Sequence, residues 1–268
     1  MNATDLFSKL WDQYSRENPS VGQIHQLFTR AGRPVINDHV AFRTFNDRRV
    51  NIDVLSKPFI EAGYEPRGEY IFETKKLKAR HYELPDSPES PRVFISELLL
   101  EEFSPFLQKT IRENLDRVSE DVFTSGDLIF QGRIFKPLSH EVYNRLREES
   151  EYAAWLYVFG YRANHFTVSV NYLSEYESVE ELNAFLKSEG YALNSSGGEV
   201  KGTPADLLEQ SSTLADQLEV EFQEGKFRVP SCYYEFAKRY HDTDGKIFSG
   251  FIAGSADKIF ESTDFRKA

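Results

Sequence analysis

Two histidines and one glutamate, His39, His165 and Glu235, are the residues of this sequence best suited to hold a divalent metal ion. Each histidine follows a short polar residue and enters an apolar, β-branched segment: Asp38-His-Val-Ala-Phe-Arg-Thr-Phe45 in the first half and Asn164-His-Phe-Thr-Val168 in the second. Glu235 lies inside Tyr233-Tyr-Glu-Phe-Ala237, where a carboxylate among apolar neighbours needs a partner. Two imidazoles and one carboxylate on a single ion leave three coordination positions open, which is the facial donor set of non-haem iron(II) oxygenases. Alternate residues of a strand share a face, so Arg43 points the same way as His39. Four residues along a strand span roughly 13 Å. That leaves room for a small anionic ligand between a metal and Arg43, whose planar fork matches a carboxylate where lysine offers only a point charge.

Each of these residues also has a structural account. A histidine near a strand start can close a hydrogen bond, Glu235 can pair with Arg239, and Arg43 can tie Glu83 or Glu97 into an ion pair. Glu97 competes with Glu235 for the role of ligand, and His81 and Glu83, on a predicted strand, are within reach of the same pocket. His25 on an amphipathic helix, His140 near a helix start and His241 in a polar turn read as structural. Neither a Gly-rich phosphate loop nor a Gly-x-Ser-x-Gly elbow is present, so nucleotide-binding and serine-hydrolase chemistry lack support.

The elements that must position these residues form a diverged repeat. Apolar periodicity predicts helices over 3–16 and 21–31, a strand over 38–45, a helix over 50–62 and strands over 70–74, 79–84 and 92–99, which is a βαβββ order. A mostly helical stretch follows, clearest at 106–118 and 140–149. The first pattern then returns, with a strand over 164–171, a helix over 179–188 and strands over 218–222 and 228–240. Gly63 follows His39 by 24 residues and Gly190 follows His165 by 25. The helices end alike, Phe-Ile-Glu-Ala-Gly-Tyr64 against Leu-Lys-Ser-Glu-Gly-Tyr191, and each unit closes on a strand holding a glutamate, Glu97 or Glu235. The expected fold class is α+β, a single domain of two βαβββ modules forming a barrel. Its parts are N-terminal helices (1–34), a first module (35–102), a helical insertion (103–161), a second module (162–240) and a tail (241–268).

At 268 residues and 40% apolar content the chain can bury a large core. Its 32 basic residues against 43 acidic ones give a net charge of -11, which argues against nucleic acid and anionic membranes as partners. An anionic ligand would then need a local cation inside its pocket. The single cysteine, Cys232, excludes an internal disulfide and a cysteine-rich zinc site and suits a reducing compartment. The N-terminal segment has neither the basic start nor the apolar run of a secretory signal, and no run is long enough to span a membrane. A cytoplasmic location is expected.

The chain resembles the 2-oxoadipate dioxygenase/decarboxylase family of the vicinal oxygen chelate superfamily. The resemblance is carried by 38–45, by 164–168, by Tyr233-Tyr-Glu-Phe236 and by the tail Gly250-Phe-Ile-Ala-Gly-Ser-Ala-Asp-Lys-Ile-Phe-Glu-Ser262. It implies Fe(2+) held by His39, His165 and Glu235, with Arg43 and Ser255 on the substrate. It also implies conversion of 2-oxoadipate and dioxygen into 2-hydroxyglutarate and carbon dioxide, a late step in lysine catabolism, with no separate 2-oxoglutarate. The alternatives on this scaffold are a metal-dependent isomerase, a ring-cleaving dioxygenase and a ligand-sequestering module without catalysis.

Overall fold

The computed structural model describes residues 1–30 and 34–252. Helix α1 (Ala3–Glu17) starts where the Asn2 side chain accepts the Asp5 N–H, and it buries Leu6, Leu10 and Tyr14 along one face. Helix α2 (Pro19–Thr29) carries its proline in the first turn, where no N–H is needed. The first βαβββ unit follows as β1 (Asn37–Phe45), α3 (Ile52–Glu61), β2 (Glu65–Phe72), β3 (Leu77–Glu83) and β4 (Arg92–Leu98). The insertion holds α4 (Pro105–Asp116), α5 (Glu120–Thr124), α6 (His140–Glu149) and α7 (Glu151–Phe159). The second unit is β5 (Ala163–Ser169), α8 (Val179–Ser188), β6 (Lys201–Thr203), β7 (Leu208–Ser212), β8 (Gln217–Phe222), β9 (Gly225–Pro230) and β10 (Glu235–Arg239).

Eight strands form one curled sheet, a half-barrel in the order β2-β3-β4-β1-β5-β10-β7-β6, while β8 and β9 pair apart as a hairpin. The order reads the same outward from the central β1–β5 pair: β1, β4, β3, β2 on one side and β5, β10, β7, β6 on the other. The register has the same symmetry. His39 faces Thr167 and Ala41 faces His165, so the two histidines are equivalent about the centre of the antiparallel pair. Thr167 then lies beside Glu235 in the parallel β5–β10 pair, as Ala41 lies beside Phe94 in β1–β4. The structural counterpart of Glu235 is therefore Phe94 and not Glu97. Matching the two glutamates by their place in a closing strand put them three positions out of register.

Two further expectations are corrected. Strands β6 and β7 were not foreseen, because β6 is three residues long and β7 reads Leu-Glu-Gln-Ser-Ser, with no apolar alternation. Yet all of β7 is buried, and its polar side chains have partners: Glu209 with the Tyr240 hydroxyl, Gln210 with Glu235 and Ser211 with Asn183. The strand expected over 228–240 is broken, since residues 231–234 leave the ladder. Their carbonyls instead accept from Trp155 Nε1, Asp216 N–H, the Tyr14 hydroxyl and Thr213 N–H, so all four carbonyls keep a partner despite the break.

Alternation along β5 separates two environments. Phe166 and Val168 face outward, with Phe166 packed on Trp11 and Tyr14 of α1 at 5.2 Å between ring centroids, while His165 and Thr167 face the concave side. Helix α7 is apolar all round and accordingly buried, capped by the Ser150 hydroxyl and ended by Gly160 at φ 64. A Cβ at Gly160 would fall 2.0 Å from the Gly132 carbonyl oxygen, so only glycine fits there. Because β1 and β5 pair with each other at the middle of the sheet, each half leaves an open edge and an uncovered face without the other. A fragment of residues 1–120 is expected to give no cooperative melt by circular dichroism, and a well-dispersed, sharply melting fragment would contradict this.

Candidate metal centre

The register assembles the site. Thr167 is the cross-strand neighbour of both His39 and Glu235, and His165 stands two residues before it on the same face of β5. Three adjacent strands thus direct His39, His165 and Glu235 into one volume on the concave side. His39 Nε2 is 3.4 Å from Glu235 Oε1 and His165 Nε2 is 3.2 Å from Oε2, with the three donor groups all within 4.8 Å of one another. Ligands bound at about 2.1 Å and at right angles lie about 3 Å apart. The two histidine-to-carboxylate gaps are close to that edge length.

The electrostatics point the same way. Both rings are anchored through Nδ1, His39 by Asp38 Oδ1 at 2.8 Å and His165 by Asn164 Oδ1 at 2.9 Å. An oxygen acceptor at Nδ1 keeps the proton there and leaves the Nε2 lone pair facing the carboxylate. Burial holds His39 below the ordinary imidazole range against the pull of Asp38. Burial, with His39 and Arg43 nearby, pushes His165 further down, so both rings are neutral at pH 7. Burial raises the Glu235 carboxyl to about 8, against the Gln210 amide that donates to Oε1 at 2.6 Å. Glu235 Oε2 has no hydrogen-bond partner among the described residues. Two lone pairs and a carboxylate, all buried, repel one another unless a proton or a cation lies between them. The donor set fits a divalent ion, and the Thr167 hydroxyl, 3.0 Å from His39 Nε2, borders the same space.

Asp38 is itself held from behind. Burial would raise its carboxyl, but the Arg239 guanidinium and the His39 ring hold it well below the usual carboxylate range. Arg239 donates Nε and Nη2 to the two Asp38 oxygens at 2.7 and 2.9 Å. Arg239 therefore pairs with the residue behind His39 rather than with Glu235. Arg43 is 1% exposed, with its guanidinium carbon 5.0 Å from the Tyr152 ring and 5.3 Å from the Trp155 ring of α7. Tyr152 is locked between β1 and β4, accepting the Thr44 N–H and donating to the Ser96 carbonyl.

The other candidates lie elsewhere. Glu97 is half-buried and accepts the Ile52 N–H at the start of α3. His81 is buried between the Tyr70 hydroxyl (2.8 Å) and Glu83 (2.9 Å), outside the donor group. His25 packs on Trp11, His140 stacks on Phe227 and His241 bridges Ile247. Ser255 lies outside the described residues. Four contributors were missed in the sequence: Gln210 on the polar strand, Thr167, Tyr233 stacked on His165 at 4.7 Å, and Phe251, whose ring meets His39 at 4.9 Å. Thr167 and Tyr233 had a signal, each standing two residues from a candidate ligand, His165 and Glu235.

Replacing His39, His165 or Glu235 by Ala is expected to abolish stoichiometric binding of a divalent metal, while His81→Ala and Glu97→Ala keep it. Metal content after dialysis decides between the two sets. The raised Glu235 carboxyl adds a pH dependence. Its folded value lies above the unfolded one, so the metal-free fold keeps its contribution below about 4.3 and loses it as pH rises through about 8. Metal must displace that proton, so its apparent affinity should climb over the same range, with about one proton released per ion at pH 6.5. Calorimetry in buffers of different ionisation enthalpy measures this release, and a proton count of zero at that pH would contradict the assignment.

Among the described residues no helix is long and apolar enough to cross a membrane. Residues 6–133 and 128–247 match the family described as 2-oxoadipate dioxygenase/decarboxylase. The chain is 37% identical to the chloroplastic 2-oxoadipate dioxygenase/decarboxylase of Arabidopsis thaliana, over 93% of this chain and 74% of that one. The rice hydroxyglutarate synthase, solved in complex with 2-oxoadipate, superposes with a TM-score of 0.87 at 34% identity, over 98% of this chain and 92% of that one. A Shewanella frigidimarina protein designated a hydrolase superposes at 0.89 with 51% identity, over 94% and 98%. A glyoxalase superfamily protein of Ralstonia eutropha shares the fold alone, at 0.74 with 20% identity over 92% and 83%. With the family matched across both modules, the chain belongs to the 2-oxoadipate dioxygenase/decarboxylase family.

Proposed function

We propose that this protein is an iron(II)-dependent dioxygenase that converts 2-oxoadipate, or a similar 2-oxo dicarboxylic acid, and dioxygen into 2-hydroxyglutarate and carbon dioxide. The observation that carries the reading is the buried His39–His165–Glu235 group, a two-imidazole, one-carboxylate set in a chain of this family. Both atoms of dioxygen stay in the products: the keto carbon becomes a carboxylate as C1 leaves as carbon dioxide, and the neighbouring carbon gains a hydroxyl. A bound ferrous ion would supply a chelation point for the 2-oxo acid and redox chemistry towards dioxygen.

The chain's own residues bind, orient and exclude water. His39, His165 and Glu235 would hold the ion, with the rings fixed by Asp38 and Asn164 and the carboxylate by Gln210. Phe94, standing where symmetry would put a fourth ligand, leaves that side apolar. Arg43, backed by Tyr152 and Trp155, is the local cation that an acidic protein needs to take a dianionic acid, and it would pair with the carboxylate distal to the oxo group. Ser255 is a second substrate contact in this reading. The ligand-sequestering alternative is disfavoured because all three donors are present. The buried Cys232 supports a reducing compartment, which we take to be the cytoplasm, although the Arabidopsis relative is named chloroplastic. The reaction would serve lysine catabolism.

The test is oxygen uptake by protein loaded anaerobically with iron(II), across a panel of 2-oxo acids. Uptake is expected to be fastest with 2-oxoadipate and matched by carbon dioxide release. Arg43→Lys should keep iron and fold, lose most of that turnover and narrow the gap between dicarboxylic and monocarboxylic 2-oxo acids. Full preference retained in the variant would make Arg43 structural, and no uptake with any 2-oxo acid would favour an isomerase on the same three ligands.

A further inference from the structure

We propose that Arg239 is a positioning residue that couples residues 248–251 to the metal-ligand His39, and that Phe251 walls the open side of the donor group; this rests on the metal reading above. Four donor contacts of one guanidinium carry the argument. Its Nε and Nη2 hold both oxygens of Asp38, whose Oδ1 in turn holds His39 Nδ1. Its Nη1 donates to the carbonyls of Phe248 at 3.0 Å and Gly250 at 2.7 Å, and its carbon lies 5.1 Å from the Phe251 ring. The strap formed by 248–251 is thus tied to a metal ligand through two side chains.

A second set of contacts fixes the strap from the other side of the sheet. The Phe251 N–H donates to the Tyr70 hydroxyl oxygen at 3.1 Å, and that hydroxyl bonds His81 Nδ1, whose Nε2 bonds Glu83. Glu83 also meets the Ser249 side chain. This cluster is built closely enough that a Cβ at Gly68 would fall 2.8 Å from the Tyr70 oxygen and 2.9 Å from His81 Nδ1. The strap ends with the Phe251 ring 8% exposed, edge-on to His39 at 4.9 Å and against Phe94 at 4.8 Å. Phe94 marks the vacant symmetric ligand position, so Phe251 and Phe94 together line the face that the three ligands leave open.

The two halves of the repeat differ at this point. His165 is held by a neutral amide, Asn164, whose Nδ2 has no hydrogen-bond partner among the described residues. His39 is held by a carboxylate that a charged, strap-binding arginine orients. The acid in one half and the amide in the other therefore give only His39 a link to the strap. With the strap docked, water is kept from the His39 side and the imidazole is clamped; with it lost, both constraints relax together.

The experiment follows release of cobalt(II) from the full chain to excess chelator, read by the visible cobalt bands. Phe251→Ala and Arg239→Lys should each speed release by about tenfold or more and shift the bands, and Phe251→Leu should restore slow release. If the two residues act as one unit, the double variant Arg239→Lys/Phe251→Ala releases cobalt no faster than the quicker single variant. Wild-type release and bands in Phe251→Ala would overturn the proposal, and so would single effects that multiply in the double variant. A wild-type chain that takes up no cobalt would instead sink the metal reading and this inference with it.

Discussion

Everything in this fold is arranged around one unfavourable encounter: two imidazole lone pairs and a carboxylate that meet in a volume closed to water. Left alone, such a group would repel itself or take up a proton, and burial already raises the Glu235 carboxyl to about 8. A divalent cation would resolve it. The sheet forces the encounter through register, since the ladder that sets Thr167 beside both His39 and Glu235 leaves those side chains no other direction. The cost of holding them there is distributed over the buried partners behind each ligand.

The largest of those partners is the Asp38–Arg239 pair, which joins residues 201 positions apart. Breaking a buried ion pair by removing one member costs about 3–5 kcal/mol, enough to matter against the 5–15 kcal/mol or so of a typical domain. Desolvation makes such a pair a poor source of net stability, so its value lies in geometry. It fixes the His39 ring, and through the same guanidinium it meets the segment that lies across the site. Arg43 follows a related rule, a buried cation kept among aromatic faces and close to the imidazole of His165.

Much of the site could be read in the sequence because short-range signals carried it. The two His-containing strands announced themselves by apolar segments following Asp38 and Asn164, and helix α8 by a period that ended at Gly190. What could not be read was long-range. Strand β7 is polar because its side chains serve as buried hydrogen-bond partners, so the pattern that marks strands was missing where the strand supported chemistry. The counterpart of Glu235 was misjudged as Glu97, since only the ladder reveals that Phe94 stands in its place. Phe251 gave no local sign either, because its role depends on Arg239 and Tyr70 from distant strands.

The most direct measurement is anomalous diffraction at the iron edge from crystals loaded anaerobically with iron(II). One peak is expected about 2.0–2.2 Å from His39 Nε2, His165 Nε2 and a Glu235 oxygen, with no protein ligand on the side lined by Phe94. A peak bound instead by His81, Glu83 or Glu97, or no peak at the three donors, would contradict it.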